Sequence, residues 1–267
     1  ANNDILDGGA NNSGTGTGDW ADYSTRAVGV EITLASGAAT AYVDTLSNGI
    51  GTHTATEEQD TLTGIENIKG STVKDILTGD STANSLLGMA GADTLAGGLG
   101  NDYIDGGADD DSIIGGAGAD ILKGGTGADT FIQTATAGDT TGDNIDGGSE
   151  AHASRGSDTV DYSQRVAGIK VSLNDTGLAN VTVGSLIDDH TLTNIENIIG
   201  TSGTDTIEGD TANNTLDGLS GTNDTLSFAK TSSGIFVNIG NSAVNADIDG
   251  NGSTDAITAN QAIGTEI

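Results

Sequence analysis

Acidic side chains recur at a fixed spacing in the first half of the sequence. From Gly70 to Ile132 the chain divides without a gap into seven nine-residue units, whose sixth residues are Asp75, Asn84, Asp93, Asp102, Asp111, Asp120 and Asp129. Aspartate and asparagine hold oxygen atoms close to the backbone, where they cap turns or bind hard cations. The choice between these two chemistries depends on whether the side chains come together in space.

The first and eighth positions of the units predict how the aspartates are held. Glycine is first in all seven units, and the eighth residues are apolar: Leu77, Leu86, Leu95, Ile104, Ile113, Leu122 and Phe131. Glycine allows a tight turn, and an apolar residue between two variable ones predicts a three-residue strand with one inward side chain. A single strand of this kind buries little, so the units are expected to stack as an all-β, right-handed parallel β-solenoid.

Two nine-residue units would form one coil of eighteen residues, so residues eighteen apart would lie above one another. The spacing of paired strands is about 4.8 Å, and carboxylates stacked at that distance repel by very roughly 1–3 kcal/mol per pair. A divalent cation between them reverses the sign of this interaction. Carboxylates and turn carbonyls form an all-oxygen site, which suits Ca²⁺ better than zinc or copper. The spacing therefore predicts several calcium ions.

The units resemble the repeats-in-toxin (RTX) nonapeptide G-G-x-G-x-D-x-U-x, a motif of calcium-binding β-rolls. GGLGNDYID, GGAGADILK and GGTGADTFI match every fixed position, whereas Met89 replaces the second glycine of one unit and Asp109 the fourth glycine of another. The resemblance implies that the aspartate side chains and turn carbonyls of two coils hold Ca²⁺. It also implies export by a type I system and folding outside the cell.

The candidate calcium ligands follow from the motif. They are Asp93, Asp102, Asp111, Asp120, Asp129, Asp75, Asn84, Asp109 and Asp205, with the turn glycines Gly97, Gly100, Gly106, Gly115, Gly118, Gly124 and Gly127. The units that begin at Gly70 and Gly79 lack both inner glycines, so we expect weaker or absent calcium there. Asp205 lies in a similarly degenerate unit, and turn capping is an equal alternative for it.

Further acidic residues are weaker candidates. Asp19, Asp158 and Asp224 each end a glycine-containing turn before a predicted strand. Asp247, Asp249, Asn251 and Asp255 have the spacing that begins an EF-hand loop, but Thr258 stands where its bidentate glutamate should be. An aspartate-rich loop is the main interpretation of this segment, and a non-helical calcium loop is the alternative.

A longer duplication surrounds the nonapeptides. The 27 residues from Gly8 align without a gap with those from Gly147, and TLTGIENIKG from Thr61 aligns with TLTNIENIIG from Thr191. We predict a first long repeat at 1–139 (the end of a preceding β-roll, coils 8–69, a β-roll at 70–132), a second at 140–217 (coils 147–199, a degenerate stretch at 200–217) and the start of a truncated third at 218–267. Tyr23, Tyr162 and Phe228 recur at one place in the copies, and we expect them and Trp20 to pack inward.

The charge excludes several classes of partner. The chain has 39 acidic residues, 8 basic residues and a net charge of -31, which argues against nucleic acid and anionic membranes. There is no cysteine for disulfides, and no apolar run is long enough for membrane insertion. Calcium ions are the expected partners, and copies of this chain or extracellular polymers are further candidates.

No pattern of catalytic residues is present. The three histidines are scattered, and the glycine-rich turns lack the strand–helix context of a nucleotide site. We therefore expect a non-enzymatic, calcium-binding structural or adhesive module of a secreted or cell-surface bacterial protein. The alternative is a non-catalytic, calcium-dependent accessory domain of a secreted RTX enzyme or toxin.

Overall fold

The structure is a computed structural model. It describes residues 5–8, 18–35, 38–43, 58–134, 141–148, 157–173, 179–183, 190–211, 214–220, 224–227, 244–247 and 255–257. Within these ranges the regular elements are all strands, and no helix is long and apolar enough to cross a membrane. The chain forms two compact units, Ala1–Thr130 with Ser149–Gly156, and Phe131–Gly148 with Ser157–Ile267.

The first unit contains two sheets. Its strands are β1 (Ile5–Asp7), β2 (Trp20–Asp22), β3 (Val30–Thr33), β4 (Ala38–Val43), β5 (Glu58–Thr63), β6 (Asn67–Lys69), β7 (Ile76–Thr78), β8 (Ser85–Ala90), β9 (Thr94–Leu99), β10 (Tyr103–Ala108), β11 (Ser112–Ala117) and β12 (Ile121–Thr126). One sheet has the order β1-β5-β4-β3-β7-β9-β11, and the other has the order β2-β6-β8-β10-β12. Successive nonapeptides therefore alternate between the sheets, as two strands per coil require.

The register confirms the eighteen-residue coil. On the second sheet Ile104 pairs with Leu86 on one side and with Leu122 on the other, and all three strands are parallel. The eighth residues of the seven units are fully buried. Burial of one aliphatic side chain of this size contributes about 1.5–3 kcal/mol, so this interior column is the main apolar contribution to the stacking.

Two details differ from the prediction. The strands β8 to β12 have six residues instead of three, because each continues through the first three residues of the next unit. Antiparallel strands are also inserted among the parallel ones: β4 lies antiparallel to both β3 and β5. Alternating polar and apolar residues mark a strand but do not reveal the direction of its neighbour.

The second unit repeats this arrangement. Its strands are β14 (Asn144–Asp146), β15 (Thr159–Asp161), β16 (Ile169–Ser172), β17 (Ala179–Val183), β18 (His190–Thr193), β19 (Asn197–Ile199), β20 (Thr206–Glu208), β21 (Thr215–Asp217), β22 (Thr225–Ser227), β23 (Val244–Asp247) and β24 (Asp255–Ile257), and β13 (Thr130–Ile132) begins at the boundary. As in the first unit, an antiparallel strand, β17, lies between β16 and β18. The duplicated sequence therefore specifies a duplicated set of strands.

The aromatic residues divide between interior and surface. Tyr23 and Tyr162 are buried, as predicted, whereas Trp20 is 39% exposed. The prediction was wrong for Trp20 because Ala21 is the inward residue of β2, so its two neighbours point outward. Phe228 lies outside the described residues.

Candidate metal centre

The aspartates at the sixth positions form two hydrogen-bonded ladders. On one edge the backbone N–H of Asp75 donates to Oδ1 of Asp93 at 2.7 Å, Asp93 N–H donates to Asp111 Oδ1 at 2.8 Å, and Asp111 N–H donates to Asp129 Oδ1 at 2.9 Å. On the other edge Asn84 and Asp102 donate in the same way to the aspartates eighteen residues later, each at 2.8 Å. The predicted stacking is therefore present, and it uses one oxygen of each carboxylate.

The second carboxylate oxygen has a different environment. Oδ2 of Asp93 and Oδ2 of Asp111 are buried and have no hydrogen-bond partner, although the two side chains are almost entirely removed from solvent. A buried carboxylate oxygen without a donor costs free energy unless a cation or a proton compensates for it. These two atoms are the strongest structural indication of a bound cation.

Backbone oxygens approach the same places. A Cβ atom added to Gly88 would lie less than 3.0 Å from both Asp93 Oδ2 and the carbonyl oxygen of Gly106, one coil later. The same holds at Gly97 for Asp102 and Gly115, and at Gly106 for Asp111 and Gly124. Each first glycine is required because a side chain would displace the carboxylate and the carbonyl. At each of these three glycines, a carboxylate oxygen of one coil therefore lies near a carbonyl oxygen of the next coil.

The turns that surround these oxygens share one backbone geometry. The second and fourth residues of the five units from Gly88 to Ile132 all have positive φ angles. Two of these residues are not glycine: Met89 has φ 83° and Asp109 has φ 76°. A left-handed conformation costs roughly 1–2 kcal/mol for such residues. The stacked coils therefore impose the GGxG turn even where its sequence is incomplete.

The electrostatics of the stack favour a bound cation or proton. Burial raises the pKa of Asp93 to about 8 and that of Asp111 to about 7, in spite of the N–H donor that each carboxylate has. Repulsion from neighbouring carboxylates, including that of Asp109, contributes to both of these raised pKa values. A cation with several oxygen ligands would compensate for this accumulated charge.

The donor set fits calcium. No three acidic or histidine side chains converge as a metal cluster anywhere in the described residues, so a calcium ion here would also need backbone carbonyls or water as ligands. Aspartate oxygens with glycine carbonyls form the hard oxygen environment that Ca²⁺ prefers. The residues that would hold it are the sixth-position aspartates from Asp93 to Asp129 through their side chains and Gly106, Gly115 and Gly124 through their carbonyls. The carbonyl of Gly97 approaches Oδ1 of Asn84 instead. Gly100, Gly118 and Gly127 shape the turns through their positive φ angles.

The remaining candidates are placed differently. Asp75, Asn84 and Asp205 are buried, but hydrogen bonds from their own turns reach their side chains. Asp224 continues a ladder, since Asp205 N–H donates to its Oδ1 at 2.9 Å. Asp19 and Asp158 accept paired N–H groups through their carbonyls, from residues 66–67 and 196–197. Asp247 and Asp255 belong to antiparallel strands β23 and β24, and Asp249 and Asn251 lie outside the described residues.

A buried polar cluster was not predicted from the sequence. Tyr23 donates its hydroxyl to Asp60 Oδ2 at 3.0 Å, and Arg26 forms a double hydrogen bond with Glu58. In the second unit Arg165 and Tyr162 are buried, and His190 occupies the place of Asp60. The feature of the sequence that could have indicated this cluster is the recurrence of tyrosine and arginine in both copies, which points to a shared structural role.

Comparison with known families agrees with this geometry. The model of the RTX calcium-binding nonapeptide repeat matches four stretches, residues 69–104, 78–113, 97–131 and 193–226. No curated protein matches the chain.

Proposed function

Because this chain carries RTX calcium-binding nonapeptide repeats, we propose that it is a structural and adhesive module of a secreted or cell-surface bacterial protein. In this proposal calcium outside the cell completes the fold and makes it rigid. Extracellular calcium-binding modules work at 10⁻⁴–10⁻³ M, a concentration range that the cytosol does not reach. The calcium-binding turns would therefore stay unfolded before export, which a type I system would carry out.

The observation that carries the proposal is the pair of buried oxygens Asp93 Oδ2 and Asp111 Oδ2. Each has the carbonyl of a neighbouring coil beside it and no hydrogen-bond donor. Metal binding to such a site is coupled to folding, because the site does not exist in the unfolded chain. Calcium would act here as a structural element, and the proposed module has no catalytic role.

The adhesive part of the proposal is supported by the repetition. The order of strands from β2 to β8 in the first unit recurs from β15 to β21 in the second. Tandem units of this kind are typical of proteins that extend a binding surface, since each added repeat contacts its neighbours only. Copies of this chain or extracellular polymers are the partners that we propose for this surface.

Circular dichroism tests the calcium-dependent fold. The far-ultraviolet spectrum of the full chain should gain β signal on titration with Ca²⁺ and should not gain it with Mg²⁺ or in EDTA. Asp102→Ala should raise the calcium concentration needed. Asp105→Ala, which removes an equal charge from the outward face of β10, should not. An unchanged β signal in EDTA, with no calcium by elemental analysis, would reject the proposal.

A further inference from the structure

We infer that the calcium response is confined to the turns that lead into Asp93, Asp102, Asp111, Asp120 and Asp129. In this inference the turns that lead into Asp75, Asn84, Asp205 and Asn214 fold without metal. It rests on the proposed function and divides repeats of one sequence pattern into two chemical classes.

The turn before Asp205 satisfies its own carboxylate. Oδ2 of Asp205 accepts the N–H of Thr201 at 2.8 Å, and Oδ1 accepts the Thr201 hydroxyl at 2.9 Å and the N–H of Ile169 at 2.8 Å. The Thr201 hydroxyl also accepts the N–H of Gly203 at 2.9 Å. Both carboxylate oxygens therefore have donors, in contrast to Oδ2 of Asp93 and Asp111.

The turn before Asp75 has the same network. Ser71 donates its N–H to Oδ2 of Asp75 at 2.5 Å and its hydroxyl to Oδ1 at 2.9 Å, and Val30 N–H donates to Oδ1 at 2.7 Å. The serine and the threonine stand at the second position of their units, where the other class has Gly or Met89. Both copies of the long repeat thus use a hydroxyl residue in the same way.

The asparagine turns replace the cation with an amide group. Oδ1 of Asn84 accepts the N–H of Asp80 at 2.8 Å, and its Nδ2 donates to the carbonyl of Glu66, eighteen residues earlier, at 2.8 Å. Asn214 forms the equivalent bonds with Asp210 at 2.9 Å and with Glu196 at 3.0 Å. An amide N–H₂ that bridges two coils supplies the positive end of a dipole, and it is a donor that cannot ligate a cation.

The backbone separates the same two classes. The second and fourth residues of the calcium-type turns have positive φ angles, but Ser71, Val73, Asp80 and Thr82 do not. Gly203, a glycine at the fourth position, also lacks a positive φ although its residue type would allow it. The turn of the second class is therefore a separate conformation that brings N–H groups toward the carboxylate.

This division changes the meaning of the family match at residues 193–226. This stretch has the sequence pattern of the family. In its turns before Asp205 and Asn214, however, the side chains of these two residues accept hydrogen bonds from N–H groups of the same turn. Its apolar residues Ile198 and Ile207 are fully buried, so packing and hydrogen bonds can hold these coils together. We expect the segment 88–130 to fold only with calcium, and the coils of the other class to stay folded without calcium.

Hydrogen exchange of the full chain, followed by mass spectrometry, tests the inference. In EDTA, amides of residues 88–130 should exchange at least about tenfold faster than in calcium, because local opening controls their exchange. Amides of residues 197–208 should exchange at the same rate in both conditions. Bound calcium should also be counted in Asp111→Asn and in Asp205→Asn, where we expect fewer ions for the first variant and an unchanged number for the second.

The outcomes separate the inference from the proposed function. Loss of protection at 197–208 in EDTA, or a lost ion in Asp205→Asn, overturns the inference and leaves the proposed function intact. A chain in which neither segment responds to calcium overturns both. Asp205→Asn keeps an oxygen that can accept the N–H of Thr201, just as Asn214 Oδ1 accepts the N–H of Asp210. If this variant does not fold, the hydrogen-exchange experiment on the wild-type chain decides the question.

Discussion

The backbone N–H of Asp93 donates to Oδ1 of Asp111, and Oδ2 of the same Asp111 carboxylate is buried without a donor. One oxygen therefore aligns two coils, and the other is left for a cation. The ladder sets the separation of the carboxylates in the folded chain. Their repulsion is then the free energy that calcium relieves.

Replacing Asp111 with asparagine should separate these two roles. Asn keeps an Oδ1 acceptor for the N–H of Asp93 but removes the charge, so the ladder should persist while calcium binding weakens. Isothermal titration calorimetry should show fewer bound ions and a midpoint calcium concentration raised by about tenfold, equal to about 1.4 kcal/mol. Asp105→Asn is the matched control, and equal effects in both variants would show that only net charge matters.

The contribution of Asp93 and Asp111 to the stability of the metal-free fold should change with pH in the direction opposite to that of ordinary paired carboxylates. The pKa values of Asp93 and Asp111 rise with burial to about 8 and about 7, above their ordinary value of 3.8. Between pH 3.8 and about 7 to 8, the metal-free folded chain therefore binds more protons than the unfolded chain. The contribution of both groups to the stability of the metal-free fold is complete below pH 3.8 and is lost as the pH rises through about 7 to 8.

Calcium competes with these protons. Adding Ca²⁺ to weakly buffered protein near pH 7 should release protons, and affinity should increase from pH 6 to pH 8. A pH-stat titration measures the release directly. Binding without proton release near neutral pH would show that these carboxylates are already ionised in the metal-free state.

Substitutions of the first glycines should distinguish effects on calcium binding from effects on stability. The φ of Gly97 is not in the left-handed region, so Gly97→Ala should act only through its Cβ, which would meet Asp102 Oδ2 and the Gly115 carbonyl. We expect a destabilisation of roughly 1–3 kcal/mol, as for other overpacked sites, and weaker calcium binding. Gly209→Ala crowds Asn214 Oδ1 in a turn of the other class, so urea unfolding should show lower stability with unchanged calcium affinity.

The sequence predicts the stacked coils well because their period is short and regular. A three-column pattern repeated seven times determines which residues point inward, and the Ile104–Leu86 register follows from the eighteen-residue period. The antiparallel direction of β4 could not be predicted, because alternating polar and apolar residues mark a strand without revealing the direction of its neighbours. The family pattern also does not reveal that Asp205 and Asp93 differ chemically, since this difference depends on the hydroxyl of Thr201.

The buried tyrosine of the first unit gives a prediction that does not involve calcium. Tyr23 donates its hydroxyl to Asp60 Oδ2, and both side chains are buried. Burial raises the pKa of Tyr23 well above its ordinary value, so the hydroxyl remains a donor. Tyr23→Phe removes a donor from a buried carboxylate and should cost about 1–3 kcal/mol.

Urea unfolding in saturating calcium checks the Tyr23 prediction. Tyr103→Phe is the control, because its hydroxyl meets Asp105 Oδ2 at 3.3 Å in a partly exposed place, and surface changes of this kind usually stay within about 0.5 kcal/mol. Calcium affinity should be unchanged in both variants, since neither hydroxyl belongs to a calcium-type turn. If Tyr23→Phe were as stable as Tyr103→Phe, the recurrence of this tyrosine in both copies would reflect the packing of its ring, and the hydrogen bond to Asp60 would contribute little.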